Sequence, residues 1–235
     1  MLFPHAVDIF YTTQIGLLYV ITEIVFYYLQ INQLMEYLST IKTAATSVVK
    51  NSQNKPSPES VVSALIQTEK QSKSQKISYQ IEQLFGSWRL CFITGTKKSR
   101  KRAGIVLGAG RYIPNFVKIK LSYFSNTNIS ETQAEKMEIG RVENTVEVGG
   151  LKLSLSGPIK FMNKKNILAF NFTKITVNLF GVKFYSGYIR GGKESENKFA
   201  TESVGKQAFF AYFLIQDTVI AARGRGGGLA IWGKI

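Results

Sequence analysis

The chain has 235 residues, 45% of them hydrophobic, enough for one sizeable core without requiring a second domain. Its 30 Lys and Arg outnumber 15 Asp and Glu, and the formal charge of +15 favours a negatively charged partner, either a membrane surface or nucleic acid. Cys91 is the only cysteine and His5 the only histidine, which excludes an intramolecular disulfide framework and a multi-cysteine zinc site. From Met35 onward it also excludes Ser-His-Asp and Cys-His nucleophile schemes and His-ligated metals, so no metal site is expected.

Residues Val7 to Ile31 are mostly apolar and aromatic, a run long enough for the roughly 20 residues a helix needs to cross a bilayer. A secretory signal would carry positive charge at its start, and none precedes Lys42. A transmembrane anchor must bury Glu23, at ~2.5 kcal/mol or more, beside Thr12, Thr13, Gln14 and Thr22. A leader translated ahead of a natural start at Met35 and a soluble core helix are the other readings. Residues 1–34 are therefore set apart as a hydrophobic leader or anchor.

Residues 35–85 read as helices. Tyr37, Leu38, Ile41, Ala44, Ala45 and Val48 fall at helical spacing, and a polar linker follows from Asn51 to Pro58. Ser57 as N-cap and Pro58 at the first position begin a second helix, whose apolar face holds Val61, Val62, Leu65 and Ile66. A third short helix is expected from Ile77 to Phe85. The basic residues are not grouped on one helix face, so these helices are expected to lie across one mouth of a barrel rather than enter DNA.

Residues 86–235 read as strands punctuated by Gly, Asn and Ser. The expected strands are Ser87–Thr94, Ala103–Arg111, Phe116–Phe124, Met137–Val148, Leu151–Phe161, Ile167–Asn178, Lys183–Arg190, Gln207–Gln216, Thr218–Arg223 and Leu229–Trp232, with no intervening helix of useful length. Tight turns at Val148-Gly149-Gly150-Leu151, Met162 to Asn166 and Gln216-Asp217-Thr218 join neighbours. Sequential antiparallel strands close most simply into an up-and-down β-barrel, which also removes exposed edges. The fold class is therefore mainly β, an antiparallel up-and-down barrel with an N-terminal helical segment.

Gly86-x-Trp88 on the first strand and Arg223-Gly224 on the last resemble the signature of lipocalin-type barrels. There a Trp plugs the closed end and an Arg lies over its ring, a cation–π contact of ~0.5–2 kcal/mol. The wider stretches Leu84 to Gly95 and Thr218 to Trp232 resemble the two ends of the conserved domain of the plastid lipid-associated protein, or fibrillin, family, in its cyanobacterial or algal branch. The acidic residues usual before that Arg-Gly motif are reduced here to Asp217. The resemblance implies a lipocalin-like fold, binding of hydrophobic molecules and association with thylakoids or lipid bodies. It places the protein near photosynthetic-apparatus proteins, on the cytoplasmic side in a cyanobacterium or the stromal side in a plastid. It implies no catalytic set.

The function expected is non-catalytic binding of a lipid, prenylquinone, carotenoid or other pigment, with a structural or photoprotective role and no required cofactor. Phe92, Tyr112, Phe116, Phe170, Phe172, Tyr185, Phe209 and Phe213 are the candidate pocket residues, because such ligands want a mostly apolar pocket. The cluster Lys97, Lys98, Arg100, Lys101 and Arg102 is the candidate docking patch for anionic lipid, extended by Lys118, Lys120, Lys160, Lys164 and Lys165. An enzymatic alternative, a bilin chromophore lyase or prenyl-lipid-modifying enzyme, would need a proton donor such as Glu138, Glu143 or Tyr112. Glu143 and Glu147 share a strand face, for which exposed glutamates are the commoner explanation. Nucleic acid is the weaker alternative, since Tyr112, Phe116, Tyr123 and Phe124 read better as barrel and rim residues than as base-stacking platforms. Gly224 to Gly228 is flanked by strands, so it is a tight hairpin rather than a phosphate cradle.

Overall fold

The alternation that begins at Gly86 builds one antiparallel sheet in the structure, a computed structural model that describes residues 4–95, 110–125 and 138–235, with side chains from residue 20 and, in the fourth strand, from Gly140. The strands are β1 (Gly86–Ile93), β2 (Arg111–Tyr112), β3 (Lys118–Ser125), β4 (Glu138–Val148), β5 (Leu151–Met162), β6 (Ile167–Phe170), β7 (Lys174–Leu179), β8 (Val182–Tyr188), β9 (Ala208–Gln216), β10 (Val219–Gly224) and β11 (Leu229–Lys234). Eight of them, β1, β3, β4, β5, β6, β9, β10 and β11, pair in that order, and β11 returns to β1. Pairing from Trp88 opposite Lys234 to Ile93 opposite Ala230 closes the ring. The result is an up-and-down, lipocalin-like barrel, as the turn spacing predicts.

The helical part differs from expectation. Helix α1 (Pro4–Val49) runs through Met35 without a break, and α2 (Pro58–Ser74) starts at the expected Ser57 cap, whose side chain accepts from the Ser60 amide. The two do not lie across a mouth. Ile41, Ala44, Ala45, Val48, Val61 and Leu65 pack against the outward residues Cys91, Phe92, Leu214, Val219, Ala221 and Ile231, covering the outside of β1, β9, β10 and β11. Full burial of each Ile, Val or Leu here contributes about 1.5–3 kcal/mol, and of each Ala methyl about 0.8 kcal/mol. The third helix shrinks to a 3-10 turn, Ile81–Leu84. This turn and the segment before it cap one barrel end, where the Tyr79 amide donates to Asn166 Oδ1 (3.0 Å) and Trp88 Nε1 donates to the Leu84 carbonyl (2.7 Å).

Arg223 does not cover Trp88. It opposes Leu229, five residues up β11 from Lys234, the residue opposite Trp88; that is about 17 Å along the strand. It also points outward, to α2, where its Nε donates to Glu69 at 2.9 and 3.0 Å and its Nη1 to the Gly227 carbonyl at 2.7 Å. The cation over the indole is Lys234, with Nζ 4.1 Å from the ring centroid and donating to the Phe85 carbonyl at 2.6 Å. Gly86 (φ +113°) permits this, because a Cβ there would stand 2.6 Å from that Nζ. The Gly-x-Trp motif thus keeps its plugging role with a different cation.

The expected single strand Ile167–Asn178 is two. After Phe170 the chain leaves β9 and re-pairs with the first half of β5 as β7. The break falls at Gly157 of β5, where any Cβ would overlap the Asn171 carbonyl oxygen. Here Asn171 donates to the Pro158 carbonyl (3.2 Å) and Thr173 to that of Ser156 (2.9 Å). An unforeseen helix, α3 (Gly192–Phe199), ties down the junction. Glu196 pairs with Arg141 and Thr173, and its carboxyl is held below the usual range although burial pushes the other way. Lys160, expected on a basic surface patch, is instead buried and donates to the carbonyls of Phe199 (2.9 Å) and Ala200 (3.3 Å) at the end of α3.

The Glu69–Arg223 pair clamps α2 to the barrel. Burial raises the Glu69 carboxyl, but hydrogen bonds from Arg223 and Lys73 outweigh it, so its folded value lies below the ordinary one. The contribution is therefore complete above the unfolded carboxylate range and is lost as pH falls through the lowered folded value. Glu69→Gln is expected to cost about 1–3 kcal/mol in urea unfolding near neutral pH. The wild-type advantage should shrink toward zero in strong acid; an advantage independent of pH would refute the clamp.

Candidate functional site

Inside the barrel, one end is filled. Trp88, Tyr123, Phe161, Leu168, Tyr212 and Trp232 are buried there. The Tyr123 and Tyr212 hydroxyls meet at 2.6 Å, and burial raises both phenols above their ordinary range. Phe210 packs edge-on to Trp232 (5.3 Å) and stacks on Phe170 (5.0 Å), which in turn meets Phe172 (5.2 Å). Phe170, Phe172 and Phe210 are only partly buried, and they form the floor of the other end.

That end does not stop at a rim. The first half of β5, with β4 and β3 on one side and β7 and β8 on the other, flares out from the ring as an amphipathic wing. Paired residues share a face. On the face continuous with the barrel interior, one rung reads Ile119, Val146, Leu153, Val177, Tyr185, and the next inward reads Leu121, Asn144, Leu155, Ile175, Gly187. The opposite face carries Lys120, Thr145, Ser154, Thr176 and Ser186, with side-chain contacts between Thr145 and Ser154 and between Thr176 and Ser186. Along β5 the inner face passes from Leu151, 46% exposed, through half-buried Leu153 and Leu155, to Ile159 and Phe161 at 0%. A single strand thus carries an aliphatic surface from solvent to the barrel's centre.

The candidate pocket residues divide. Phe170 and Phe172 lie at the mouth and Tyr185 on the inner face of the wing beside Val177. Phe116 is exposed ahead of β3. Phe92 and Phe213 face outward beneath the helices, Tyr112 packs edge-on to Phe92 and donates to the Pro56 carbonyl (2.8 Å), and Phe209 faces outward opposite Ala169. A bulge explains Phe92, since β1 slips between Leu90 and Phe92. Phe213 shares the outward parity of Phe209 and Ala211, and the slip in β9, where Ala221 and Ala222 oppose Leu214 and Tyr212, turns Leu214 outward beside it. Leu153, Leu155, Ile175, Val177 and Phe210 belong to the site and were not singled out. The signal for the first four is the plain alternation Leu151-Lys-Leu-Ser-Leu-Ser156 and Lys174-Ile-Thr-Val-Asn-Leu179; Phe210 lies in a run that is apolar on both faces.

Lys97, Lys98, Arg100, Lys101 and Arg102 lie outside the described residues. The Glu138 side chain does too. Glu143 and Glu147 sit on the outer face of β4, the latter 3.4 Å from Lys152. Cys91 is buried under the helices and its thiol is pushed up to about 12 by burial. A recess of about 260 Å³ between α1, α2 and β9 is smaller than ordinary ligand pockets, which start at about 300 Å³. Among the described residues no group of acidic, cysteine or histidine side chains could hold a metal, and no helix is long and apolar enough to cross a membrane. Ile24 to Leu29 of α1 are nevertheless all exposed, more than one full turn of apolar and aromatic side chains.

The arrangement defines a class, a lipocalin-like barrel closed by aromatic plugs at one end and opened at the other by an aliphatic wing. Compared with family models, curated proteins and solved structures, the chain matches none.

The buried hydroxyl pair sets the barrel's packing. Tyr123→Phe and Tyr212→Phe are each expected to cost about 1–3 kcal/mol by leaving one buried oxygen unpaired. The double variant should cost less than their sum in denaturant unfolding. Additive losses would show that the hydroxyls do not depend on each other.

Proposed function

We propose that the protein binds a hydrophobic small molecule at a membrane surface and does not transform it. The molecule lies along the inner face of the wing with its end against Phe170, Phe172 and Phe210. The exposure gradient along β5 carries this reading, because an aliphatic face that begins in solvent and ends in a sealed core has no other covering among the described residues. Aliphatic walls with an aromatic floor suit the long chain of a lipid, prenylquinone or carotenoid. The resemblance to fibrillins supports a thylakoid setting, and the exposed apolar turns of α1 and the excess of basic charge support an anionic membrane as partner. A lyase or prenyl-lipid-modifying activity would need a proton donor at the mouth, and Glu143 and Glu147 are on the opposite face.

Titration with a fluorescent long-chain fatty acid tests the site. Leu153→Glu and Val177→Glu place a charge on the apolar wall and should weaken uptake by about tenfold or more. Ser154→Glu, one residue away on the polar face, should leave it unchanged. Equal affinity in all three variants, or no uptake by the unaltered chain, would refute the reading.

A further inference from the structure

The wing ends in a stratified edge. Its last rung, running across four strands, is Val148, Leu151, Leu179 and Val182, all exposed, Val182 to 71%. Phe180, 77% exposed, turns between β7 and β8 and lies over Gly150, whose carbonyl accepts from its amide at 2.9 Å. Phe116, 73% exposed, borders the same depression of about 380 Å³ as Val148, Leu151 and Gly181. The rung immediately behind is Lys118, Glu147, Lys152, Asn178 and Lys183. It holds three lysines against one glutamate, and that glutamate is paired with Lys152.

We infer that this edge inserts into the outer leaflet of an anionic bilayer, with Phe180, Phe116 and the Val148–Leu151–Leu179–Val182 rung in the acyl region and Lys118, Lys152 and Lys183 at the phosphates. The order along the strands decides for a membrane. The apolar rung leads, and the cationic rung follows about 3.4 Å behind, matching the succession of hydrocarbon and anionic headgroup in a leaflet. A protein partner would be met by a broad face rather than by the ends of two hairpins. Aromatic side chains at the tip suit the interface, and an exposed apolar cluster of this kind is rare without a partner. The aliphatic inner face runs from this same edge to the barrel mouth, so an inserted wing gives a lipid a continuous apolar path out of the leaflet. The inference deepens the membrane association proposed above and assigns it to a particular surface, distinct from α1.

The buried Cys91 lets a single introduced cysteine be labelled. In the full chain, Phe180→Cys and, as a control on the outer face, Ser186→Cys carry an environment-sensitive fluorophore. Vesicles of mixed phosphatidylcholine and phosphatidylglycerol, with acyl-chain spin labels as quenchers, are the probe. The label at 180 should shift to the blue and be quenched, and that at 186 should not. The combined variant Lys118→Glu, Lys152→Glu, Lys183→Glu should lose at least about tenfold in vesicle affinity, since each cation near such a surface contributes about fivefold. Three results would overturn the inference: a label at 180 that stays in water while the chain sediments with vesicles, which leaves membrane association intact but moves it elsewhere; no sedimentation at all, which removes the association itself; and a blue shift without vesicles that grows with protein concentration, which assigns the edge to a second copy.

Discussion

The structure depends on one strand belonging to two assemblies. The inner half of β5 pairs with β6 and completes the ring, while its outer half gives up β6 for β7 and carries the wing. Gly157 makes the exchange possible, because the departing chain passes so close that no side chain fits. A ring whose neighbour at this point stayed paired along its whole length would be an ordinary closed barrel with its apolar face sealed. The exchange instead leaves an aliphatic surface running from a dry core into solvent. Burying it requires something from outside the described chain, and this need connects the fold to a function.

Much of this was legible in the sequence. Tight Gly and Asn turns at hairpin spacing gave the meander, and the meander gave the ring. Alternation within β5 and β7 gave a polar and an apolar face. What alternation could not give was which face each residue took after a bulge. Counting by twos from Trp88 places Phe92 inside, but the slip after Leu90 turns it to the helices. A slip in β9 likewise turns Leu214 outward, next to Phe213, which shares the outward face of Phe209 and Ala211. These extra residues follow from packing between strands far apart in the chain and leave no local mark.

The cation over Trp88 shows the same limit. A motif names a chemistry, and Arg223 supplied it on paper. In space Arg223 is an outward residue on a strand whose inward neighbour is Ala222, so it serves α2 through Glu69. Lys234, in register with Trp88, takes the place over the indole. Ring closure rests on backbone pairing of β1 with β11, and the cation–π contact follows from that pairing. The helices were legible as helices, but their site of docking was not. Ala44, Ala45 and Val48 are small enough to approach the outside of β11 closely, which a mouth would not require.

The central claim is that the inner face of the wing, and not the helix-covered outside of the barrel, meets the apolar ligand. Methyl NMR of the full chain with a spin-labelled long-chain fatty acid tests it most directly. The account predicts that the methyls of Leu153, Leu155, Ile175 and Val177 broaden, while those of Ile41, Val48 and Leu65 under the helices stay sharp. Broadening confined to the helix side, or spread evenly over both, would contradict it.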